Sequence, residues 1–70
     1  MGKNISIILW KNVNRLRIKA RLTINQLSKK AKIDKGTLLS IEKGLANPLF
    51  STILKLSKAL KNHPYRLFED

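Results

Sequence analysis

Few side chains in this chain could do covalent or acid-base chemistry, and they do not converge. The one histidine, His63, stands beside Pro64 at an expected helix start, Asp34 reads as a helix cap, and there is no cysteine. No nucleophile, base and orienting group can be assembled from that set, so no catalytic residues are expected. Metal ligands are equally scarce, and glycine-rich phosphate loops are absent, so neither a metal nor a cofactor is expected. What the chain has in quantity is charge and hydrogen-bond donors. Fifteen Lys and Arg against four Asp and Glu give a net charge of +11, which suits a polyanionic partner. Residues 1 to 33 hold nine of the basic side chains and none of the acidic ones.

Those donors need elements to aim them, and the clearest element is Asp34 to Gly44. Asp34 is a good N-cap and Gly44 a good C-terminal stop. At about 100° per residue, Leu38, Ile41 and Glu42 point one way, joined by Leu45 just past the stop. Gly36, Leu39, Ser40 and Lys43 point the other way, on a face without core duty. Upstream, Thr23-Ile24-Asn25-Gln26 is a capping box and predicts a helix from Ile24 to about Ala31. Only Lys32 and Ile33 separate it from Asp34. Two short helices across so tight a turn have the helix-turn-helix geometry, in which the second helix can enter a DNA major groove.

The pattern Thr-x-x-x-Leu-Ser-x-x-Ala-x-Ile-Asp-x-Gly-Thr-Leu-x-x-Ile-Glu-x-Gly, from Thr23 to Gly44 and followed by Pro48, resembles the DNA-binding domain of lambda-type phage repressors, Cro proteins and Xre-like bacterial regulators. The resemblance runs from about Leu9 to Phe68. It implies an all-α fold, a compact bundle of four to five short helices, with the helix-turn-helix at about 24 to 43. It further implies that Lys35, Gly36 and Ser40 read bases, with Thr37 and Leu39 in the same DNA-binding set. Lys can donate to guanine O6 or N7, Ser can pair with several bases, and Leu39 either meets a thymine methyl or is an ordinary exposed leucine. Gly36 is either a tolerated first-turn glycine or a point of close backbone approach to DNA. Thr23 and Asn25, at a helix N-terminus, suit a phosphate oxygen, Thr23 being a cap in any case. Lys43 and Asn47 are expected to flank the groove and touch phosphates. Arg17 and Glu42 match the family's interior ion pair, and Tyr65, Leu67 and Phe68 its dimer contact, with Leu49 and Phe50 as neighbours.

Four departures from the family pattern stand out. Ser28 replaces a usual Ala, Lys32 replaces a usual Gly in the turn, and Asn62 stands at a usually apolar position. A Lys in a left-handed turn would be strained by about 1 kcal/mol or more. Leu49 replaces a capping or basic residue, which removes one expected phosphate contact.

The remaining segments supply the scaffold. A first helix from Ile5 aligns Ile5, Leu9, Val13, Leu16 and Ala20 on one face and ends near Ala20 or Arg21. Ile7 and Trp10 fall off that face, and they cover the bundle edge, belong to a frayed, extended N-terminus, or offer a contact for another subunit. A fourth helix carries Phe50, Ile53, Leu56 and Leu60, and His63-Pro64 opens a last short helix. Seventy residues are expected to form a single domain, 1–70, with no room for a second, ligand-sensing unit. The apolar run at Ile5 to Trp10 is far too short to span a membrane, and the opening Met-Gly-Lys-Asn-Ile-Ser matches the loose N-myristoylation pattern only.

Together the residues and the resemblance imply sequence-specific double-stranded DNA binding by a small cytoplasmic phage or bacterial regulator, with repression favoured by family habit. A homodimer on DNA is expected, because one recognition helix reads too few base pairs to select one site in a genome. No small-molecule ligand and no membrane partner are expected. The rival reading is a protein-interaction module, such as an antitoxin-like or phage partner protein with secondary DNA binding, using Ile7, Trp10, Leu49 and Phe68. A cationic membrane-surface peptide is disfavoured, since the apolar residues form several short, capped segments.

Overall fold

The computed structural model describes residues 5–46 and 48–69; the first four residues of the amino-terminal myristoylation pattern and Asn47 lie outside them. Four α-helices follow in order, α1 (Ile5–Lys19), α2 (Ile24–Ala31), α3 (Lys35–Glu42) and α4 (Phe50–Ala59), before a 3-10 helix at Pro64–Phe68. No strand occurs among the described residues. The fold is all-α, as the periodicity and the resemblance predicted.

The helices start where the sequence places caps. Thr23 accepts a hydrogen bond from the Gln26 N–H at 3.0 Å, and the Gln26 side chain accepts one back from the Thr23 N–H at 2.8 Å, completing the capping box. Asp34 Oδ2 accepts from the Thr37 N–H at 3.2 Å at the head of α3. At α4 the N-cap is Leu49, whose side chain cannot accept, and the first turn there has no side-chain cap.

All four helices end the same way. The N–H two residues past each last turn reaches back to a carbonyl five residues earlier, as in Leu22 to Arg17, Ile33 to Ser28, Leu45 to Ser40 and Asn62 to Ser57. This closure puts the intervening residue in the left-handed region, and those residues are Arg21, Lys32, Gly44 and Lys61. Lys32 therefore does adopt the strained turn, at φ 59°, and the cost is tolerated.

The core is built from Leu9, Val13 and Leu16 of α1, Leu27 and Ala31 of α2, Leu38 and Ile41 of α3, and Ile53, Leu56 and Ala59 of α4, closed by Leu60 and Leu67. α1 packs on α3 and the 3-10 helix, while α2 packs on α3 and α4. Ser28 and Ser57 are buried, and each hydroxyl donates to a carbonyl three residues earlier, Asn25 and Leu54, at 2.9 Å. That bond meets the hydroxyl's need and lets Ser28 stand where the family pattern has Ala.

Several expected core positions turn outward. Ile5 and Phe50 each open their helix with an exposed side chain, and Leu45 is 78% exposed, because the left-handed turn at Gly44 swings it away from the α3 core face. α1 ends at Lys19, which leaves Ala20 exposed in the following turn. The buried residue that periodicity overlooked is Asn12. Its amide donates to the carbonyls of Leu67 at 3.0 Å and Glu69 at 2.7 Å, tying the chain's last turn to α1. The 3-10 helix therefore docks firmly although Asn62 is polar; the Asn62 side chain donates to the Leu60 carbonyl at 2.8 Å instead of entering the core.

Candidate nucleic-acid interface

α3 is fixed from its buried side. Leu38 and Ile41 are fully buried, each contributing about 2 kcal/mol by leaving water. At the helix end, the Arg17 guanidinium grips Glu42 with two parallel bonds, Nε to Oε2 at 2.7 Å and Nη2 to Oε1 at 3.0 Å. Only 15% of the Arg17 side chain and 8% of the Glu42 side chain remain accessible. The third donor, Nη1, reaches the Leu22 carbonyl at 2.8 Å, so one side chain joins α1, the α1–α2 turn and α3. Such a paired and hydrogen-bonded ion pair is stable where it is and costly to break.

Sequence reasoning missed a further partner of this pair. Asn14 donates through Nδ2 to Glu42 Oε1 at 2.9 Å. The signal was available in spacing, since Asn14 precedes Arg17 by one helical turn and shares its face of α1. Trp10, left unassigned by periodicity, lies against Gly44. A Cβ built on that glycine would stand 2.8 Å from the indole Cδ1 and 3.2 Å from Nε1.

With its inner face held, α3 presents the other. Lys35, Gly36, Leu39 and Lys43 are exposed, and Thr37 and Ser40 are half-buried at its border. No described residue hydrogen-bonds the side chains of Lys35, Ser40 or Lys43, which leaves them as donors for a ligand. Gly36 has a structural use as well, since a Cβ there would stand 2.8 Å from Asp34 Oδ2, the oxygen that caps the helix. At α2, Thr23 and Asn25 are exposed, and the capping box leaves the N–H groups of Ile24 and Asn25 without a partner among the described residues.

The expected dimer contact divides. Leu67 is 0% exposed and belongs to the core, so its side chain cannot meet another subunit, whereas Tyr65 and Phe68 are exposed. The reason is helical pitch. With three residues per turn, Pro64 and Leu67 share one edge of a 3-10 helix and Tyr65 and Phe68 share the next. Leu49, Phe50 and Leu54 are exposed too.

Two short helices, capped by Thr23 and Asp34, joined through a left-handed Lys32 and backed by an Arg-Glu pair, define a DNA-binding helix-turn-helix. A family model described as helix-turn-helix matches residues 13–67, and the chain belongs to that family, in its Xre-like form. Among solved structures it is similar to the restriction-modification controller protein C.AhdI from Aeromonas hydrophila, 27% identical, with a TM-score of 0.86 over 90% of this chain and 96% of that one. It is also similar to the hypothetical transcription factor NHTF from Neisseria, with a TM-score of 0.89 over 93% of this chain and 75% of that one; at 22% identity this likeness speaks for the fold alone. No curated protein matches the chain. No described helix is long and apolar enough to cross a membrane.

Proposed function

We propose that the chain is a small cytoplasmic transcriptional regulator, with repression favoured, that binds double-stranded DNA sequence-specifically as a symmetric homodimer. The observation that carries this reading is the outer face of α3, a row of donors on a helix whose opposite face is held by Leu38, Ile41 and Glu42. A helix so held can keep its donors in register with base edges. Lys35 and Ser40 read bases, Leu39 meets a thymine methyl, Gly36 and Thr37 line the approach, and Lys43 and Asn47 grip phosphates. Thr23 and Asn25 present the head of α2 to the backbone. The net charge of +11 draws the protein to DNA and makes binding salt-dependent. The similarity to a restriction-modification controller protein supports a regulatory role.

Tyr65 and Phe68, with Leu49 and Phe50 as neighbours, form the contact between subunits, and the two α3 helices then sit roughly 34 Å apart, one turn of B-DNA. Those same exposed apolar side chains are what favours a second reading, a module that binds a different protein and only secondarily DNA.

Selection of preferred sites from random DNA tests the proposal. A twofold-symmetric site supports it; no sequence preference overturns it, and one half-site bound one-to-one at full affinity overturns the dimer. On the selected site, Lys35→Ala and Ser40→Ala should each lose roughly 1 to 3 kcal/mol and relax the preference locally. Lys43→Ala should weaken all sequences alike and flatten the salt dependence, because a phosphate contact carries no base information.

A further inference from the structure

The four helix ends serve as controls for one another. Each closes through a left-handed residue, and at α1, α2 and α4 that residue is Arg21, Lys32 or Lys61. A left-handed backbone therefore does not by itself demand glycine in this chain. The end of α3 differs in what lies against it, for Trp10 occupies the space a Cβ at position 44 would need. Glycine stands at 44 because the indole is there.

Trp10 does not act alone. Trp10, Asn14 and Arg17 follow at i, i+4 and i+7 on α1, one face of a helix over about 10 Å. Trp10 lies on Gly44, and Asn14 and Arg17 share the two oxygens of Glu42. The turn under the indole is also the one that closes on the recognition helix, since the Gly44 N–H donates to the Ile41 carbonyl and the Leu45 N–H to the Ser40 carbonyl, both at 3.0 Å. Movement at Gly44 would thus be felt at Ser40 and Lys43.

We propose that Trp10 and Asn14 are positioning residues for DNA recognition, which with Arg17 form a cradle on α1 that sets the angle of α3. The proposal rests on the DNA-binding reading, and it deepens that reading by assigning a specificity role to two residues that touch no DNA. Contacts to phosphate by flexible lysines tolerate a tilted helix, whereas base contacts do not. The cradle should therefore matter for choosing a site more than for holding DNA.

The test compares Trp10→Ala, Trp10→Phe and Asn14→Ala with the wild type, using the selected site and a random duplex, together with amide hydrogen exchange of the free proteins. Asn14→Ala keeps the Arg17–Glu42 pair, so it is the variant that stays folded if Trp10→Ala does not. The ratio of specific to non-specific affinity should narrow by roughly three- to ten-fold in Asn14→Ala, the loss of one hydrogen bond's worth of order. Affinity for the random duplex should hold. In both alanine variants exchange should quicken at Lys43, Gly44 and Leu45 while Leu27 and Ala31 keep their protection, and Trp10→Phe, which retains a ring over Gly44, should keep most of the affinity ratio and protection that Trp10→Ala loses. An unchanged affinity ratio with unchanged exchange at 43 to 45 overturns the proposal. So does exchange that quickens evenly through α2 and α3, which is the mark of a merely structural role. Should the wild type show no preference among DNA sequences, the regulatory reading fails by itself, and the exchange pattern still decides whether the cradle holds α3.

Discussion

The two halves of the molecule are finished to different degrees. In the α2–α3 half each helix starts on a side-chain cap, Thr23 or Asp34, and the recognition helix ends in a bidentate ion pair. In the half made of α4 and the 3-10 helix, neither start has a side-chain cap, and Leu49, Phe50, Leu54, Tyr65 and Phe68 lie exposed. The difference teaches that the first half is shaped from within and presents Lys35, Ser40 and Lys43 beside the exposed Leu39 and Leu45, while the second leaves its apolar side chains uncovered, the surface that the proposed homodimer would use. A self-contained recognition unit beside an unfinished apolar edge is what a protein that pairs on DNA would need.

The comparison can be broken most directly at the pair that completes the first half. Arg17→Ala leaves the Glu42 carboxylate nearly buried without its partner, and should cost about 3 kcal/mol. Denaturant unfolding checks this, and a variant as stable as the wild type would show that the first half does not depend on its ion pair. Gly44→Ala comes next. It combines a left-handed alanine with a collision against Trp10, and should cost roughly 2 kcal/mol in the same measurement. The outcome to set against it is Lys32→Gly, which relieves the same backbone conformation without a neighbour in the way and should not destabilise.

Thr23→Ala removes the cap oxygen at α2 and should cost about 1 kcal/mol, read as a lowered melting temperature. An unchanged melting temperature would mean that the capping box adds nothing to stability. Leu49→Asp is the mirror experiment and the smallest effect. Supplying the missing cap at α4 should stabilise the monomer by roughly 0.5 to 1 kcal/mol, yet place a charge in the apolar edge. If Leu49 lies in the subunit contact, sedimentation should then show weaker self-association in a better-folded protein. A gain in stability with association untouched would move the contact away from Leu49.

What could be read from the sequence was decided locally. Thr23, Gln26 and Asp34 act within three residues of themselves, so their spacing sufficed to place α2 and α3. The Arg17–Glu42 pair was legible only through family resemblance, because its partners are 25 residues apart. Asn12 was missed for that reason, as its acceptors lie 55 and 57 residues away and no rule of helical spacing reaches them. Leu67 was grouped with Tyr65 and Phe68 by resemblance, which does not show that a three-residue pitch sends it into the core, and Leu45 was misplaced because a left-handed turn resets the face that periodicity would extend. For the outer face of α3 the sequence names the donors, but the base each would meet depends on a partner absent from the sequence.

The indole lying on Gly44 has a practical side. It is the chain's one tryptophan, and it stands at the end of the helix whose placement matters most. Its emission therefore samples that single spot, with no other indole to blur the signal. Titrating DNA into the native protein and following the wavelength of that emission gives an unlabelled optical readout of how the recognition helix settles, from inside the protein.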